Sequence, residues 1–401
     1  MKLEELAPQL REQILFNFQG CQPKGEMRFG FGVSELVGEI AAKFTDGRVL
    51  IITGRNLTRM GVADRIAGHL KAIGLESDIF CEVDPEPHID TMIRTAEQLK
   101  KHDYKLIVGL GGGSVLDTAK LAALFATSEY DPMTLMKNEQ LCTPGLPTIL
   151  LPTTAGTGSE VSPFVVISDE GNKFFVDHPC VYGTVALVDP MLTTTMPASV
   201  TAFTGLDALS HGVEGVCGKG MDNPYSLALS TQCVELMFKY LKRAVDDPED
   251  LEARYYVSFA SVLGMMAYIQ GGGLYAHSMS YVLTKFYDKP HGFGCGITMP
   301  YTLVYNRDHI GDILRRYGLA IYGRPAEPKE VTDAFAKLTE DVGIKLSLKE
   351  NGVTEDMIPT LAKELVVDNY RRLNPRDMNL EESNKFVKAM FEGNLEGAAV
   401  R

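Results

Sequence analysis

The sequence predicts an α/β N-terminal domain over residues 1–193, a parallel sheet with helices on both faces, followed by an all-helical C-terminal domain over 194–401. Three observations predict it. Short β-rich runs alternate with helical patterns through the first half, which is the signature of a parallel sheet wrapped by crossover helices. LIVGLG (106–111) and TILLPT (148–153) are continuous apolar runs, as expected of central strands buried on both sides. Strand signals fade after about residue 195.

In order, the first half reads as strand RVLIIT (48–53), a helix around 61–73, strand SDIFCEV (77–83), a helix around 90–101, LIVGLG, a helix over 114–126, and TILLPT. PFVVISD (163–169) and GTVALVD (183–189) follow, and the pattern changes between Pro190 and Pro197. From TAFTGLDALSHGVEGV onward, apolar residues recur at helical spacing in LALSTQCVELMFKYLKRAV, ARYYVSFASVLGMMAYI, HIGDILRRYGLAIY, EVTDAFAKLTEDVG and ESNKFVKAMFEG. A chain of 401 residues also exceeds what one ordinary core serves.

Composition narrows the function. Charged residues make up 23% and hydrophobic ones 45%, an ordinary globular mixture. The formal charge of −13, with no basic run, argues against a nucleic-acid partner. No stretch has the apolar length of a membrane span, and MKLEELAPQLREQILFNF is amphipathic rather than signal-like, so a cytoplasmic protein is expected. Seven dispersed cysteines without a CxxC pair fit a reducing compartment and free thiols.

GLGGGSVLDTAK (109–120) directly follows a predicted buried strand and opens a helix. Glycines let the backbone approach a ligand closely, and a helix start favours an anion such as a pyrophosphate. The loop lacks both the Walker lysine and the GxGxxG spacing. Its plain alternative is a tight strand-to-helix turn. A second small-residue loop, PTTAGTGSE (152–160), after the neighbouring strand weighs against that, because it offers Thr153, Thr154, Thr157 and Ser159 at the same sheet edge. RVLIIT ends in Gly54-Arg55, where a dinucleotide site commonly carries an acid for the ribose. A cation there suits a 2′-phosphate, so NADP competence is expected.

GLDALSHGVEG (205–215) places Asp207 and His211 one helical turn apart, with Glu214 on the same side. Such a pair is a ready chelate and equally an ordinary helix-surface ion pair. AHSMSYVLTKFYDKPHG (276–292) adds His277 and His291. A continuous helix would hold these about 21 Å apart, too far for joint ligation. Pro290, with Gly292 and Gly294, permits a reversal that brings His291 back. One oxygen and three nitrogen donors would suit Fe²⁺, Zn²⁺ or another first-row divalent ion.

GGGSVLDTAK, PTTAGTGSEV, ALVDP, TGLDALSHGVE and AHSMSYVLTKFYDKPHG, in this order and spacing, resemble the iron-containing (group III) alcohol dehydrogenase family nearly end to end. The resemblance implies a nucleotide-binding α/β domain, a helical domain that carries the metal and the catalysis, and NAD or NADP bound between them. It implies metal ligation by Asp207, His211, His277 and His291, with Fe²⁺ the family's ion and Zn²⁺ an alternative. It also implies coenzyme contacts from Gly112, Gly113, Ser114, Asp117, Thr153, Thr154, Thr157 and Lys173, beside Gly54 and Arg55, and a homodimer or higher homo-oligomer. Two departures stand out: Gly54 replaces the acid that many members carry, and Tyr281 replaces a histidine proposed to relay protons.

The reading is therefore an NAD(P)-linked alcohol dehydrogenase or aldehyde reductase. Hydride passes between the nicotinamide and an oxygen-bearing carbon of a small primary alcohol or short aldehyde, polarised by a divalent ion. Tyr281, one turn from His277, either exchanges protons there or only packs. The rivals are a hydroxyacid–oxoacid transhydrogenase with retained coenzyme, a dehydroquinate-synthase-like lyase, and a nucleotide-binding structural protein with a stabilising zinc.

Overall fold

The computed structural model describes residues 16–18, 25–84, 88–169, 172–219, 223–367 and 372–400. The chain divides into two compact units, Met1–Thr195 and Met196–Arg401.

In the first unit the strands are β1 (Phe16–Phe18), β2 (Glu26–Phe29), β3 (Arg48–Thr53), β4 (Ser77–Phe80), β5 (Tyr104–Gly111), β6 (Thr148–Pro152), β7 (Phe164–Asp169), β8 (Asn172–Asp177) and β9 (Val185–Val188). The helices are α1 (Val37–Ala41), α2 (Arg55–Arg59), α3 (Val62–Ala72), α4 (Ile89–Leu99), α5 (Gly113–Thr127) and α6 (Pro132–Lys137). Seven strands form one sheet in the order β1-β2-β9-β6-β5-β3-β4. Six of them run parallel, with β1 antiparallel at the edge. Alternate residues of each central strand enter different cores. Val49, Ile51, Val108, Ile149 and Leu151 pack with α1 and α3, whereas Leu50, Ile52, Ile107 and Leu150 pack with α5. Burial on both faces is why these strands read as continuous apolar runs. Gly111 pairs with Pro152, so the loops that follow β5 and β6 leave the sheet side by side.

Sequence and structure differ here at several short elements, three of which bear on the sheet. β2 was not expected, because EMRF holds two charged residues and only four positions; pairing with β9 makes it a strand. PFVVISD does not join the main sheet but pairs with β8 as a separate antiparallel hairpin. SDIFCEV stops at Phe80, and its Glu82 forms only a lone bridge to Gly54.

The second unit is helical: α7 (Ala198–Cys217), α8 (Pro224–Asp246), α9 (Leu251–Gly271), α10 (Tyr275–Tyr287), α11 (His291–Asn306), α12 (Gly311–Tyr322), α13 (Pro328–Asp341), α14 (Ile358–Val367) and α15 (Leu380–Glu392). α7 lies against α8, α9, α10 and α11 and is buried from Gly205 to Cys217. Among the described residues no single helix is long and apolar enough to cross a membrane. The expected reversal after α10 exists, but its geometry corrects the glycine assignment. Asp288 takes the left-handed conformation (φ 51°), Pro290 caps the next helix, and His291 is that helix's first residue. Gly292 and Gly294 make no turn. A Cβ on Gly292 would lie 2.1 Å from the Phe203 carbonyl oxygen, and one on Gly294 2.5 Å from Ser280 Cα. These glycines exist so that α11 can press against α7 and α10.

Candidate functional site

The first unit offers two interlocked loops. Gly112 caps α5 in an extended conformation, and no acidic residue sits in that helix's first turn. A Cβ on Gly112 would approach Thr154 Cγ2 to 3.3 Å, and one on Gly113 would lie 2.7 Å from Thr157 Cγ2. The second loop thus occupies the volume that side chains on the first would need. Thr153 donates its backbone N–H to Gly111 (3.0 Å), and Thr157 Oγ1 accepts from the Ser159 N–H (3.3 Å). Gly54 caps the short helix α2, whose first residue, Arg55, is exposed. Lys173 lies in β8 opposite Ser168, with its side chain outside the described residues.

Asp117 stands apart from the other candidates in this unit. It is buried, with Oδ1 accepting from Ser159 Oγ at 2.5 Å and Oδ2 from the Val166 N–H at 2.9 Å. Lys120 Nζ, 3.7 Å from Asp117 Oδ1, donates to Ser159 Oγ (3.0 Å) and to the Phe164 carbonyl (2.7 Å). Burial lowers the Lys120 pKa to about 8, with Asp117 and Glu160 opposing. Asp117 thus ties α5 to the second loop and to the β7–β8 hairpin through both of its oxygens.

The second unit gathers donors from three helices. Asp207 and His211 project from α7, His277 from the start of α10, and His291 from the start of α11. Asp207 Oδ1 lies 3.9 Å from His211 Nε2, 4.0 Å from His277 Nε2 and 3.6 Å from His291 Nε2. Asp207, His211 and His277 are at most 5% exposed, so the surface ion-pair alternative does not apply. The His291 side chain alone among the four is substantially open, at 32%.

Two hydrogen bonds aim the imidazoles. His277 Nδ1 donates to Glu214 Oε2, whose partner oxygen Oε1 accepts the Ala276 N–H (2.9 Å) at the otherwise uncapped start of α10. Ser280 Oγ donates to the His291 carbonyl (2.6 Å), which leaves it to accept from His291 Nδ1 (2.8 Å). In both rings the Nδ1 proton is engaged and the Nε2 lone pair is turned toward Asp207. Asp207 Oδ1 is buried without a hydrogen-bond partner. Burial pushes its carboxyl pKa up to about 6, against the pull of His277. Tyr281, half-buried, lays its ring 5.1 Å from that of His291.

The residues match a metal centre. Bonds of roughly 2.0–2.2 Å to one ion place neighbouring donors roughly 3–4 Å apart, depending on coordination number, which takes in the separations around Asp207. A buried carboxylate oxygen without a hydrogen-bond partner, facing three imidazole nitrogens, is what a cation would satisfy.

The model of the iron-containing alcohol dehydrogenases matches residues 23–190, and that of the family's C-terminal region matches 201–391. The chain belongs to the iron-containing alcohol dehydrogenase family. It is an oxidoreductase of alcohols, and its family uses NAD(P) and an iron ion. Choline dehydrogenase of Bacillus subtilis (strain 168) is 34% identical, over 91% of this chain and 93% of that protein. A crystal structure of 1,3-propanediol oxidoreductase superposes with a TM-score of 0.87 at 29% identity, covering 91% of this chain and 97% of the other. Sulfoacetaldehyde reductase from Bifidobacterium kashiwanohense, solved in complex with NAD⁺, gives 0.84 at 28%, covering 92% and 97%. These likenesses favour the dehydrogenase reading over the transhydrogenase and lyase alternatives.

Two site residues, Ser280 and Cys295, escaped the sequence, and for a third, Glu214, only the role did. Glu214 was placed on the right side of α7, but its role toward His277 depends on a partner 63 residues away. Ser280 acts only because the chain reverses. Cys295, four residues after His291, lies with its Sγ 3.7 Å from His291 Nε2. Its signal was the same four-residue spacing that singled out Asp207 and His211.

Proposed function

We propose that this dehydrogenase interconverts a small primary alcohol and a short aldehyde, with or without an anionic tail, using an ion held by Asp207, His211, His277 and His291. The convergence of three imidazoles on one buried carboxylate oxygen carries this reading. When bound, the ion supplies Lewis acidity toward the substrate oxygen and the coenzyme supplies the hydride. Asp207, His211 and His277 keep the inner side of the centre dry, so substrate approaches past His291 and Tyr281. Tyr281 serves as a proton-exchange group at that open side. Gly112, Gly113 and Ser114 cradle the pyrophosphate at the start of α5, Thr153, Thr154 and Thr157 line the coenzyme, Lys173 approaches the nicotinamide ribose, and Asp117 holds the second loop in place. The relatives named for choline, 1,3-propanediol and sulfoacetaldehyde support the substrate class.

Gly54 and the exposed Arg55 favour a coenzyme bearing a 2′-phosphate. The enzyme works in the cytoplasm as a homo-oligomer, which analytical ultracentrifugation would measure. Metal analysis followed by an alcohol and aldehyde panel, with NAD and NADP in parallel, tests the whole reading. Arg55→Ala should weaken NADP use selectively; an unchanged NADP rate with equal or better NAD turnover removes Arg55 from coenzyme selection.

A further inference from the structure

We infer that Cys295 supplies a thiolate to the metal centre, making it a mixed oxygen, nitrogen and sulfur site. The inference rests on the metal reading above and adds a donor to it.

Asp207, His277, His291 and Cys295 each offer one ligand atom, and these four atoms lie within 4.8 Å of one another. Cys295 follows His291 by one turn of α11, so both side chains leave the same helix face. Its Sγ meets Nε2 of His291, the nitrogen turned toward Asp207, and the residue is fully buried. Close helix packing delivers it there. A Cβ on Gly292 would lie 3.2 Å from Asp207 Cβ, and one on Gly296 would strike the Leu206 side chain at 2.6 Å. Glycines on both sides of Cys295 therefore draw α11 onto the Asp207 turn of α7. The second, independent observation is Asp207 Oδ1 itself, buried in this cluster without a hydrogen-bond partner.

A filler cysteine would need only apolar neighbours; this one faces a carboxylate and two imidazoles. Ligation exchanges its S–H bond for a sulfur–metal bond and releases the proton to solvent. Sulfur is the softest donor in the set, so it shifts preference from Fe²⁺ toward Zn²⁺ and Co²⁺.

The test uses the full chain, stripped with a chelator and reloaded with Zn²⁺ or Co²⁺ alone. X-ray absorption of the zinc form should show a sulfur scatterer at ~2.3 Å, and the cobalt form a sulfur-to-cobalt charge-transfer band. Both features should vanish in Cys295→Ser, which keeps the side-chain size, and in Cys295→Ala. The wild-type spectra decide even if a variant fails to fold. A zinc shell of nitrogen and oxygen only, with no charge-transfer band, overturns the inference while leaving the metal reading intact. Failure to bind any ion overturns both.

Discussion

The two candidate sites are built on opposite plans. In the first unit the site is backbone: glycines at the start of α5 are fitted against threonines of the neighbouring loop, and the side chains that matter most, Asp117 and Lys120, are buried ties. In the second unit the site is side chains, assembled from three helices, with His277 oriented by Glu214 and His291 by Ser280. The first should be intolerant of added atoms, the second of removed ones.

The largest effect expected from this contrast is at Asp207. Asp207→Asn should strip the ion and lower kcat on the order of 10³-fold, since Lewis-acid stabilisation is worth several kcal/mol. Coenzyme affinity should stay near wild type. Steady-state rates with metal analysis check it, and full metal occupancy in the variant would break the contrast. Glu214→Ala should weaken metal affinity by about 10–100-fold, because it leaves His277 unaimed; isothermal titration would read this directly. Gly113→Ala reverses the pattern. The added methyl has no room beside Thr157, so the coenzyme dissociation constant should rise about tenfold with metal content unchanged, in line with overpacking costs of ~1–3 kcal/mol. Adding Thr157→Ala should restore part of the loss. The smallest change expected is Tyr281→Phe, a severalfold fall in kcat with an altered pH profile. An unaltered profile and full rate would reduce Tyr281 to packing against His291.

Legibility in the sequence followed the same division. β3, β5 and β6 were readable because burial on both faces writes an unbroken apolar run, and the loops because they follow those runs directly. α11 was not readable: its first turn holds Gly292 and Gly294, and Pro300 sits inside it, all poor helix formers locally. Packing against α7 overrides them, since every residue from Gly292 to Asn306 is buried. The histidines and Glu214 were visible on their own segments, but the contact of Glu214 with His277, and Ser280 and Cys295 as neighbours of His291, were not. Those relations arise only when α10 and α11 fold back beside α7.

That fold-back has a consequence for the enzyme's lifetime. An ion held as proposed by α7, α10 and α11 would be a removable crosslink between segments far apart in sequence, and closing so long a loop restrains the unfolded chain. Asp288, the sole non-glycine residue with positive φ among those described, marks where this crosslinked segment bends. Chelated enzyme should therefore become protease-sensitive around the α10–α11 bend before the first unit is cut, so storage life would be set by how slowly the ion escapes.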